Sequence, residues 1–354
     1  MAKLQEMDNK SDKNLKAMIM AAGVGSRLDP LTKYVPKPLV PVCNRPVIDI
    51  LLEKLSKIGV KDIVANTYYL ADQIISACKS NSFGINFDYI KEDTLSGTAG
   101  GLKKCQYFFN QGEDFVVLSA DGLSDADLHS GLEIHRKSGA IATIGIKKIP
   151  LSEVSHFGVV VTDEDGFITE FQEKPKVEEA KSSFINTGIY IFNYKIFDFI
   201  PADTFYDFAK NVFPRLLSCR EINTFEIKDY WTDIGTIDQY VQSMHDLFEG
   251  HCHFEHGEIE KSANGLYISE SKVGTDVQFI GHSTIGKNCT IGKNVTIKDS
   301  IIWDDVVIKD NVVIENSIVA SGAKINSNLS SVVIAANSIV DEPIKNGTEK
   351  LLIF

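Results

Sequence analysis

The chain has 354 residues and a formal net charge of −12 at pH 7, and 24% of its residues are charged. This length predicts two domains with sizeable cores, and the acidic balance excludes a nucleic-acid partner held by many phosphate contacts. No apolar run approaches the roughly 20 residues that span a bilayer, so we expect no membrane insertion. The polar residues 1–15 are expected to form a disordered lead. Six scattered cysteines without a C-x-x-C pair predict reduced thiols and a cytoplasmic protein.

A first strand is predicted at Ala17–Met20, and the loop after it has the composition of an anion site. Arg27 and Lys37 supply positive charge, and Pro36 and Pro38 restrict the backbone on both sides of the lysine. The small residues leave backbone N–H groups bare for a phosphate or a base edge. The predicted nucleotide-binding residues of this loop are Ala21, Ala22, Gly23, Gly25 and Ser26.

The complete string from Gly23 to Pro38 carries much more information than its glycines. Gly-x-Gly after a strand fits a tight turn equally well, and the loop is neither a Walker A loop nor a dinucleotide fingerprint. The whole string, however, resembles the signature G-x-G-x-R-L-x-P-L-T-x-x-x-P-K-P of the sugar-nucleotide pyrophosphorylases, which are nucleotidyltransferases. This resemblance implies an enzyme that transfers a nucleotidyl group from an NTP to a sugar 1-phosphate and releases pyrophosphate.

Strand and helix patterns alternate over residues 16–250. Helices are predicted at Ile48–Ile58 and Ala71–Lys79, and buried strands at Lys61–Asn66 and Phe115–Leu118. This order predicts an α/β fold with a Rossmann-like, mostly parallel sheet, which we assign as the catalytic domain. Ligands of such sheets bind at the carboxyl ends of the strands.

The segment EDTLSGTAGGL lies at one such strand end and is expected to read the base. Gly97 and Thr98 would bring the backbone close to the nucleotide. Glu92 can accept from the two adjacent donors of guanine, whereas uracil or thymine would be matched better by an amide. Glu92 therefore favours GTP, although the neighbouring Asp93 competes for the role.

Two aspartates are candidates for a Mg²⁺ site. Asp121 follows the strand Phe115–Leu118, and Asp233 lies in the distant segment YWTDIGT. Mg²⁺ favours one or two carboxylates together with phosphate oxygens and waters, and the resemblance assigns the metal to this pair. Asp125 is expected instead to cap a helix that begins near Ala126.

The sugar half of the site is expected in three further segments. Gly158 would let a sugar pack closely, Glu173 would bind sugar hydroxyls and Lys174 the sugar phosphate. Asn186 and Thr187 would add an amide and a hydroxyl. These roles follow from the resemblance, because each short segment alone is equally typical of a surface turn.

The resemblance also implies a mechanism without a general base, since the second pKa of a sugar 1-phosphate is about 6. Arg27 would stabilise the leaving phosphates, Lys37 the α-phosphate region and Lys174 the sugar phosphate. A non-catalytic regulatory relative would be expected to lack such groups, yet all of the expected catalytic residues are present. They are Arg27, Lys37, Asp121, Lys174 and Asp233.

Within the family the chain resembles mannose-1-phosphate guanylyltransferases most, in the run Pro201–Leu217 and in its short C-terminal repeats. We therefore expect GTP and mannose 1-phosphate as substrates and GDP-mannose as product. The alternatives are glucose-1-phosphate adenylyl-, thymidylyl- or uridylyltransferase and heptose-1-phosphate guanylyltransferase.

Residues 251–272 are expected to form a linker and residues 273–354 a second domain. An aliphatic residue recurs about every six positions from Ile280 onward, which predicts a parallel β-helix. It resembles the left-handed hexapeptide β-helix, and the repeats suffice for about three coils. An acyltransferase is the alternative for such repeats, but His282 is the only histidine among them. We expect the β-helix to support a homo-oligomer.

Overall fold

The computed structural model describes residues 15–252, 260–261, 266–345 and 351–353. Residues 1–14 of the predicted lead lie outside the described residues, as does most of the segment 253–265. The described chain divides into two compact units. The sheet unit consists of the residues up to Gly23 together with Ile48–Asp233, and the β-helix unit consists of Val24–Val47 together with the residues from Ile234 onward. Most of the signature loop is therefore grouped with the C-terminal half of the chain, which the sequence pattern did not predict.

The sheet unit is built on a nine-stranded sheet with the order β10-β9-β11-β6-β1-β4-β5, in which β8 pairs with β11 and β12 with β8. The described residues 15–233 contain thirteen strands, including the short pair β2 and β3 that belongs to the β-helix unit. They are β1 (Lys16–Ala21), β2 (Pro41–Val42), β3 (Arg45–Pro46), β4 (Asp62–Thr67), β5 (Asn86–Lys91), β6 (Asp114–Ser119), β7 (Gly122–Ser124), β8 (Ala142–Lys148), β9 (Gly158–Thr162), β10 (Ile168–Glu173), β11 (Phe184–Asn193), β12 (Ile222–Glu226) and β13 (Trp231–Asp233).

The sheet is parallel where β5, β4, β1 and β6 pair, and the long strand β11 is antiparallel to β6, β8 and β9. The inner strands β1, β4 and β6 are mostly buried, as a covered parallel sheet requires, whereas the edge strand β5 is only half-buried. The predicted α/β class is therefore confirmed, with a mixed rather than a mostly parallel sheet. The parallel part ends in the segments expected to hold the nucleotide.

Six α-helices occur in the described residues. They are α1 (Val47–Lys57), α2 (Ala71–Lys79), α3 (Gly97–Lys104), α4 (Leu128–Ser138), α5 (Phe213–Ser218) and α6 (Ile237–Phe248). The cap of α4 differs from the expectation, because Asp127 and not Asp125 is its N-cap and accepts from the Ser130 backbone N–H at 3.1 Å. None of the helices in these residues is long and apolar enough to cross a membrane.

The C-terminal strands stack in parallel on three faces of a β-helix. Strands of the first face are Leu266–Ile268, Ser283–Ile285, Ile301–Ile302, Ile318–Val319, Val332–Ile334 and Leu351–Ile353, with Glu260–Lys261 antiparallel at its edge. Strands of the second face are Lys272–Val273, Thr290–Ile291, Val307–Ile308, Lys324–Ile325 and Ile339–Val340. Strands of the third face are Gln278–Ile280, Thr296–Lys298, Val313–Glu315, Leu329–Ser330 and Ile344–Lys345.

The five strands of the second and third faces make five coils, so the expectation of about three was too low. The coils also begin earlier than residue 273, since Leu266–Ile268 pairs in parallel with Ser283–Ile285 inside the expected linker. The strand Leu266–Ile268 precedes Ile280, at which the regular aliphatic spacing used for the prediction begins. Ile285, Ile302 and Ile314 are among the side chains that form the continuous core of the coils.

Candidate active site

Asp121 and Asp233 are brought together by two short strands. β7 begins at Gly122, directly after Asp121, and pairs antiparallel with β13 so that Gly122 lies opposite Asp233. The Ser119 hydroxyl donates to Asp121 Oδ1 at 2.6 Å, which orients this carboxylate. Two aspartates at neighbouring positions of paired strands offer carboxylate oxygens, which suit Mg²⁺ together with phosphate oxygens and waters. The described residues contain no cluster of three or more His, Cys, Asp or Glu side chains that could hold a metal by themselves, so the metal role of the pair stays a prediction.

A lysine that sequence reasoning missed supports β7. Lys54 on α1 donates to the Ser124 carbonyl oxygen at 2.6 Å. Burial lowers the pKa of Lys54 to about 8, and the nearby carboxylates of Asp125 and Asp127 oppose that shift. Lys54 therefore ties the end of α1 to the strand that faces Asp233.

Strand β11 is interrupted by a bulge between Asn186 and Tyr190, where its register with β8 shifts. Gly188 at the bulge has φ +75°, a conformation that L-residues rarely adopt, and a Cβ there would lie 3.1 Å from Ser119 Cβ. Its N–H donates to Asn186 Oδ1 at 3.0 Å. The bulge thus brings the backbone next to the serine that orients Asp121, a placement typical of bulges beside functional sites.

Thr187 lies inside this bulge and is buried. Its hydroxyl donates to the Gly145 carbonyl at 2.6 Å, and its own carbonyl accepts from Trp231 Nε1 at 3.1 Å. The hydroxyl donor expected to bind a sugar is therefore used within the chain, and this geometry supports a role in holding the bulge. The Asn186 amide likewise donates to the Tyr190 hydroxyl at 3.1 Å.

Gly158 and Glu173 are direct neighbours, because they are register partners of β9 and β10. A Cβ at Gly158 would lie 2.6 Å from the Phe171 ring and 3.3 Å from Glu173 Oε2. The glycine is required by this ring, and the exposed Glu173 carboxylate stands directly beside it. The structure therefore places the two predicted sugar-binding residues together.

Lys174 follows Glu173 with φ +47°, which is unfavourable for a residue with a long side chain. Its backbone N–H donates to the Phe157 carbonyl at 3.1 Å, and its side chain is exposed. The Phe157 ring packs edge-on against Trp231, with ring centroids 5.6 Å apart. Because Trp231 is in the same strand as Asp233, these contacts connect the Lys174 turn to the aspartate pair. The sequence pattern did not identify Trp231 as part of this arrangement.

Glu92 has other partners than those expected. Asn66 Nδ2 donates to its Oε1 at 2.7 Å, while Lys104 Nζ lies 3.0 Å from its Oε2. The backbone N–H and the hydroxyl of Ser96 also donate to Oε2. Both oxygens accept from donors of the chain, and the side chain is 1% exposed, so this geometry does not support direct contact with guanine. Asn66 Oδ1 accepts from the Ala21 N–H at 3.3 Å, and the buried network therefore orients the end of β1.

Gly97 and Thr98 begin α3 and contact the segment 204–208. Gly97 has φ +79°, and a Cβ there would collide with the Tyr206 carbonyl. That carbonyl accepts from the N–H groups of Ala99 and Gly100 at 3.0 Å each. The Thr98 hydroxyl donates to Asp207 Oδ2 at 2.9 Å. Close packing alone accounts for the glycine, and the predicted nucleotide contact of this turn stays a prediction.

At the carboxyl end of β1, Ala21 and Ala22 are buried, whereas Gly23 is exposed. A Cβ at Gly23 would meet no atom within 4 Å, and its φ lies outside the left-handed region. Neither the backbone conformation nor packing in the ligand-free chain therefore requires glycine at this position. A close approach by a ligand would provide a reason for it.

The rest of the signature loop is part of the β-helix unit. Gly25 has φ +74°, and a Cβ there would lie 3.0 Å from Lys37 Cβ. The Thr32 hydroxyl lies 2.9 Å from the Gly25 carbonyl and 2.9 Å from Asp29 Oδ1. Lys37 is 9% exposed, whereas Ser26 and Arg27 form an exposed turn at Ser26–Leu28. The loop therefore has internal cross-links that hold Lys37 in a defined place.

The chain thus combines a mixed α/β sheet, two aspartates on paired short strands and parallel C-terminal coils. Comparison with known protein families identifies the class of protein that has these features. The nucleotidyl transferase family model matches residues 16–250, and the chain belongs to this family. The model of the EIF2B subunit epsilon LbH domain matches residues 261–349, so the coils form a left-handed β-helix. The predicted family and fold class are confirmed.

The similar proteins include relatives with two different activities. A UTP–glucose-1-phosphate uridylyltransferase of Synechocystis is 43% identical over 242 residues, which is 65% of this chain and 62% of that protein. The chain thus spans less than two thirds of the length of that relative. A mannose-1-phosphate guanylyltransferase catalytic subunit beta of Drosophila pseudoobscura is 33% identical over 277 residues, covering 77% of this chain and 71% of the relative.

Solved structures share the sheet fold. A Bacillus anthracis structure described as a glucose-1-phosphate thymidylyltransferase has a TM-score of 0.59 and 27% identity, and the match covers 65% of this chain and 94% of the other. HddC from Yersinia pseudotuberculosis has a TM-score of 0.56 and 25% identity, with coverage of 66% and 99%.

Proposed function

We propose that this protein transfers a nucleotidyl group from an NTP to a sugar 1-phosphate and releases pyrophosphate. The observation that carries the proposal is the placement of Asp121 beside Asp233 through the β7–β13 pair, next to the β11 bulge and the Lys174 turn. Family membership supports the same reaction class.

The reaction needs little covalent chemistry from the protein. The sugar phosphate is largely a dianion at neutral pH, since its second pKa is about 6, and it attacks the α-phosphorus without a general base. The protein must hold two anions in line and offset their repulsion. Lys174 neutralises the sugar phosphate, and Arg27 and Lys37 bind the triphosphate. Glu173 accepts from sugar hydroxyls beside Gly158.

Asp121 and Asp233 would hold Mg²⁺. When bound, this ion would neutralise charge on the phosphate oxygens. The Ser119 hydrogen bond keeps one oxygen of Asp121 oriented, and Lys54 holds the strand that faces Asp233. These contacts prepare the carboxylates before any ligand arrives.

For the substrates we propose GTP and mannose 1-phosphate. Four guanylyltransferase relatives match over 277 or 279 residues, against 242 for the uridylyltransferase, so these four resemble a larger part of this chain. Other guanylyltransferase relatives match over 226 or 257 residues. UTP and glucose 1-phosphate are the second candidate, because the uridylyltransferase is more identical over its shorter match. Glu92 does not favour guanine over the other bases, because its carboxylate oxygens accept hydrogen bonds from Asn66 and Lys104.

The test is a pyrophosphate-release assay with five NTPs against mannose, glucose and heptose 1-phosphates. We expect GTP with mannose 1-phosphate to give the highest kcat/KM. If UTP with glucose 1-phosphate is preferred, the second candidate is correct. Release with none of the fifteen pairs would refute the proposed reaction.

Asp121→Asn serves as the catalytic variant in the same assay. It should lower kcat by roughly 10³-fold, because a carboxylate that holds the metal supplies several kcal/mol of transition-state stabilisation. Asp127→Asn is the matched control, since asparagine also caps a helix, and its kcat should stay within about twofold of the wild type. Near-normal turnover in Asp121→Asn would contradict the metal assignment.

A further inference from the structure

The β-helix unit contains a buried hydrogen-bond relay that ends beside the signature loop. Trp303 Nε1 donates to the Tyr240 hydroxyl at 3.0 Å, and that hydroxyl donates to the Pro41 carbonyl at 2.6 Å. Tyr240 is 0% exposed and Trp303 3%. Trp303 belongs to the coils, Tyr240 to α6, and Pro41 to the hairpin β2–β3 that follows Lys37. The tyrosine hydroxyl thus joins three parts of the unit, and water does not compete for its partners.

Two further contacts hold the tip of the same hairpin. The Cys43 N–H donates to the Met244 sulfur on α6 at 3.2 Å. Asn44 Nδ2 donates to the Ile285 carbonyl of the first face at 2.5 Å and lies 3.3 Å from Ser269 Oγ. The hairpin β2–β3 is therefore attached both to α6 and directly to the coils.

Helix α6 is in turn seated on the first face of the β-helix. The outward side chains Ile301 and Ile318 of that face are buried, although outward positions of a β-helix are normally polar. They line a small gap together with Met244 and Phe248 of α6, and the Phe248 ring stacks on His282 with centroids 4.7 Å apart. The coils thus provide a packed platform for the helix that carries Tyr240.

The hairpin is continuous with the turn that contains Lys37. The Val40 N–H donates to the Lys37 carbonyl at 3.1 Å, and the Val47 N–H donates to the Val40 carbonyl at 3.2 Å. Lys37 packs against Gly25 at the start of the loop. A displacement of Pro41 would therefore be transmitted to the lysine through bonded backbone.

We propose that the β-helix positions the triphosphate-binding cations, and that Tyr240 and Trp303 are positioning residues acting through Pro41. This inference rests on the proposed function for the role of Arg27 and Lys37. It gives the C-terminal coils a task within a single chain, separate from assembly. The relay acts on NTP binding and not on sugar phosphate binding, because the loop carries only the groups assigned to the triphosphate.

The test compares full-length Tyr240→Phe and Trp303→Phe with Tyr194→Phe. Tyr194 is the matched control, because its hydroxyl also accepts one hydrogen bond, from Gln106 Nε2 at 2.9 Å, but lies in the sheet unit. KM is measured for the NTP that the wild type uses best and for the sugar 1-phosphate. Backbone amide exchange of the segment 24–47 is measured by mass spectrometry.

We expect Tyr240→Phe to raise KM for the NTP about tenfold, which corresponds to one or two lost hydrogen bonds, while KM for the sugar 1-phosphate changes less than about twofold. Amides of 24–47 should exchange faster than in Tyr194→Phe. The double variant of Tyr240 and Trp303 should show little more than the larger single effect, since both changes break one relay.

Equal increases in both KM values, or exchange in 24–47 indistinguishable from Tyr194→Phe, would overturn the relay. If the wild type does not release pyrophosphate from any of the NTPs tested, the proposed function fails. The exchange measurement alone then decides the inference. In that case unchanged exchange rejects the relay and faster exchange supports it.

Discussion

The β-helix and the sheet unit both contain non-glycine residues with left-handed backbone, but they do so for different reasons. In the described coils such residues recur at the corners, and all but Ser331 are asparagine or aspartate. They are Asp276, Asn288, Asn294, Asp299, Asp305, Asn311, Asn316, Ser331 and Asn337. These short polar side chains tolerate this conformation better than other L-residues. The repeat geometry therefore selects the residue type.

In the sheet unit the same conformation is found at Leu70, Lys174, Asp203 and Arg220. The long side chain of Lys174 is poorly suited to it. The turn is held by the bond from its N–H to Phe157 and adjoins Glu173 and Trp231. A residue that is unfavourable for its backbone and exposed at a strand end is typical of a functional position. Left-handed backbone alone therefore does not distinguish structure from function, and a mismatch with residue type also occurs at Leu70 and Arg220. What sets Lys174 apart is the combination of this mismatch with an exposed position beside Glu173.

The largest effect is expected from Lys174→Asn, which gives the turn a residue of the β-helix type. Loss of the ammonium should raise KM for the sugar 1-phosphate about 100-fold, as expected for a lost charge-assisted bond. The free energy of unfolding should rise by up to about 1 kcal/mol, because asparagine is less strained there. Steady-state kinetics and urea unfolding measure the two quantities.

Lys176→Asn is the control for this change, since Lys176 is exposed two positions away and has no assigned role. It should leave KM within about twofold of the wild-type value. An unaltered KM in Lys174→Asn would mean that the strained turn does not serve the sugar phosphate.

An intermediate effect is expected from Lys54 of the sheet unit, whose amine is shielded from solvent. Its pKa is lowered to about 8 in the folded chain from 10.5. Between pH 8 and pH 10.5 the Lys54 amine is more protonated in the unfolded state than in the folded state. The contribution of Lys54 to the free energy of unfolding therefore increases with pH in this range. From pH 7.0 to 9.5 the wild type should gain about 2 kcal/mol relative to Lys54→Met.

Urea unfolding of both proteins at the two pH values measures this difference. The contributions of other titrating groups cancel in the comparison with Lys54→Met. A difference that does not change with pH would show that Lys54 is solvated in the folded protein.

The smallest effect is expected from the opposite substitution, in which an asparagine at a corner of the coils is replaced by lysine. Asn288 is exposed with φ +57°, and its N–H donates to the Glu270 carbonyl at 2.7 Å. Asn288→Lys should lower the free energy of unfolding by about 1 kcal/mol, because lysine is less tolerant of this conformation. Kinetic constants should be unaffected. A stability equal to that of the wild type would remove the claim that the corners select asparagine.

Much of the fold could be predicted because it depends on local patterns. The helix Ala71–Lys79 has its predicted bounds, and β1, β4 and β6 coincide with the three predicted strands. Neighbouring side chains within one element decide such features, and the six-residue repeat identified the β-helix for the same reason. The signature string and the segments around Asp121 and Asp233 identified the family through residue order alone.

The partners of side chains depended on tertiary structure. Nothing near Glu92 in the sequence indicates that Asn66 and Lys104 occupy its oxygens, and the cap of α4 moved from Asp125 to Asp127 because a cap needs a particular geometry. The sequence does not explain why the outward positions Ile301 and Ile318 are apolar. The structure does, because α6 packs on the first face of the β-helix at these residues.

The sequence by itself thus determined the family and the fold class, and it predicted the residues of the catalytic site, because periodicity and motif order are properties of the chain alone. Only the tertiary structure showed that Glu92 orients the end of β1 through Asn66. It also showed that Asp121 and Asp233 lie on paired strands. It also decided that the loop with Lys37 belongs with the β-helix. These depend on contacts between residues far apart in the chain, and a single sequence does not record which distant groups satisfy one another.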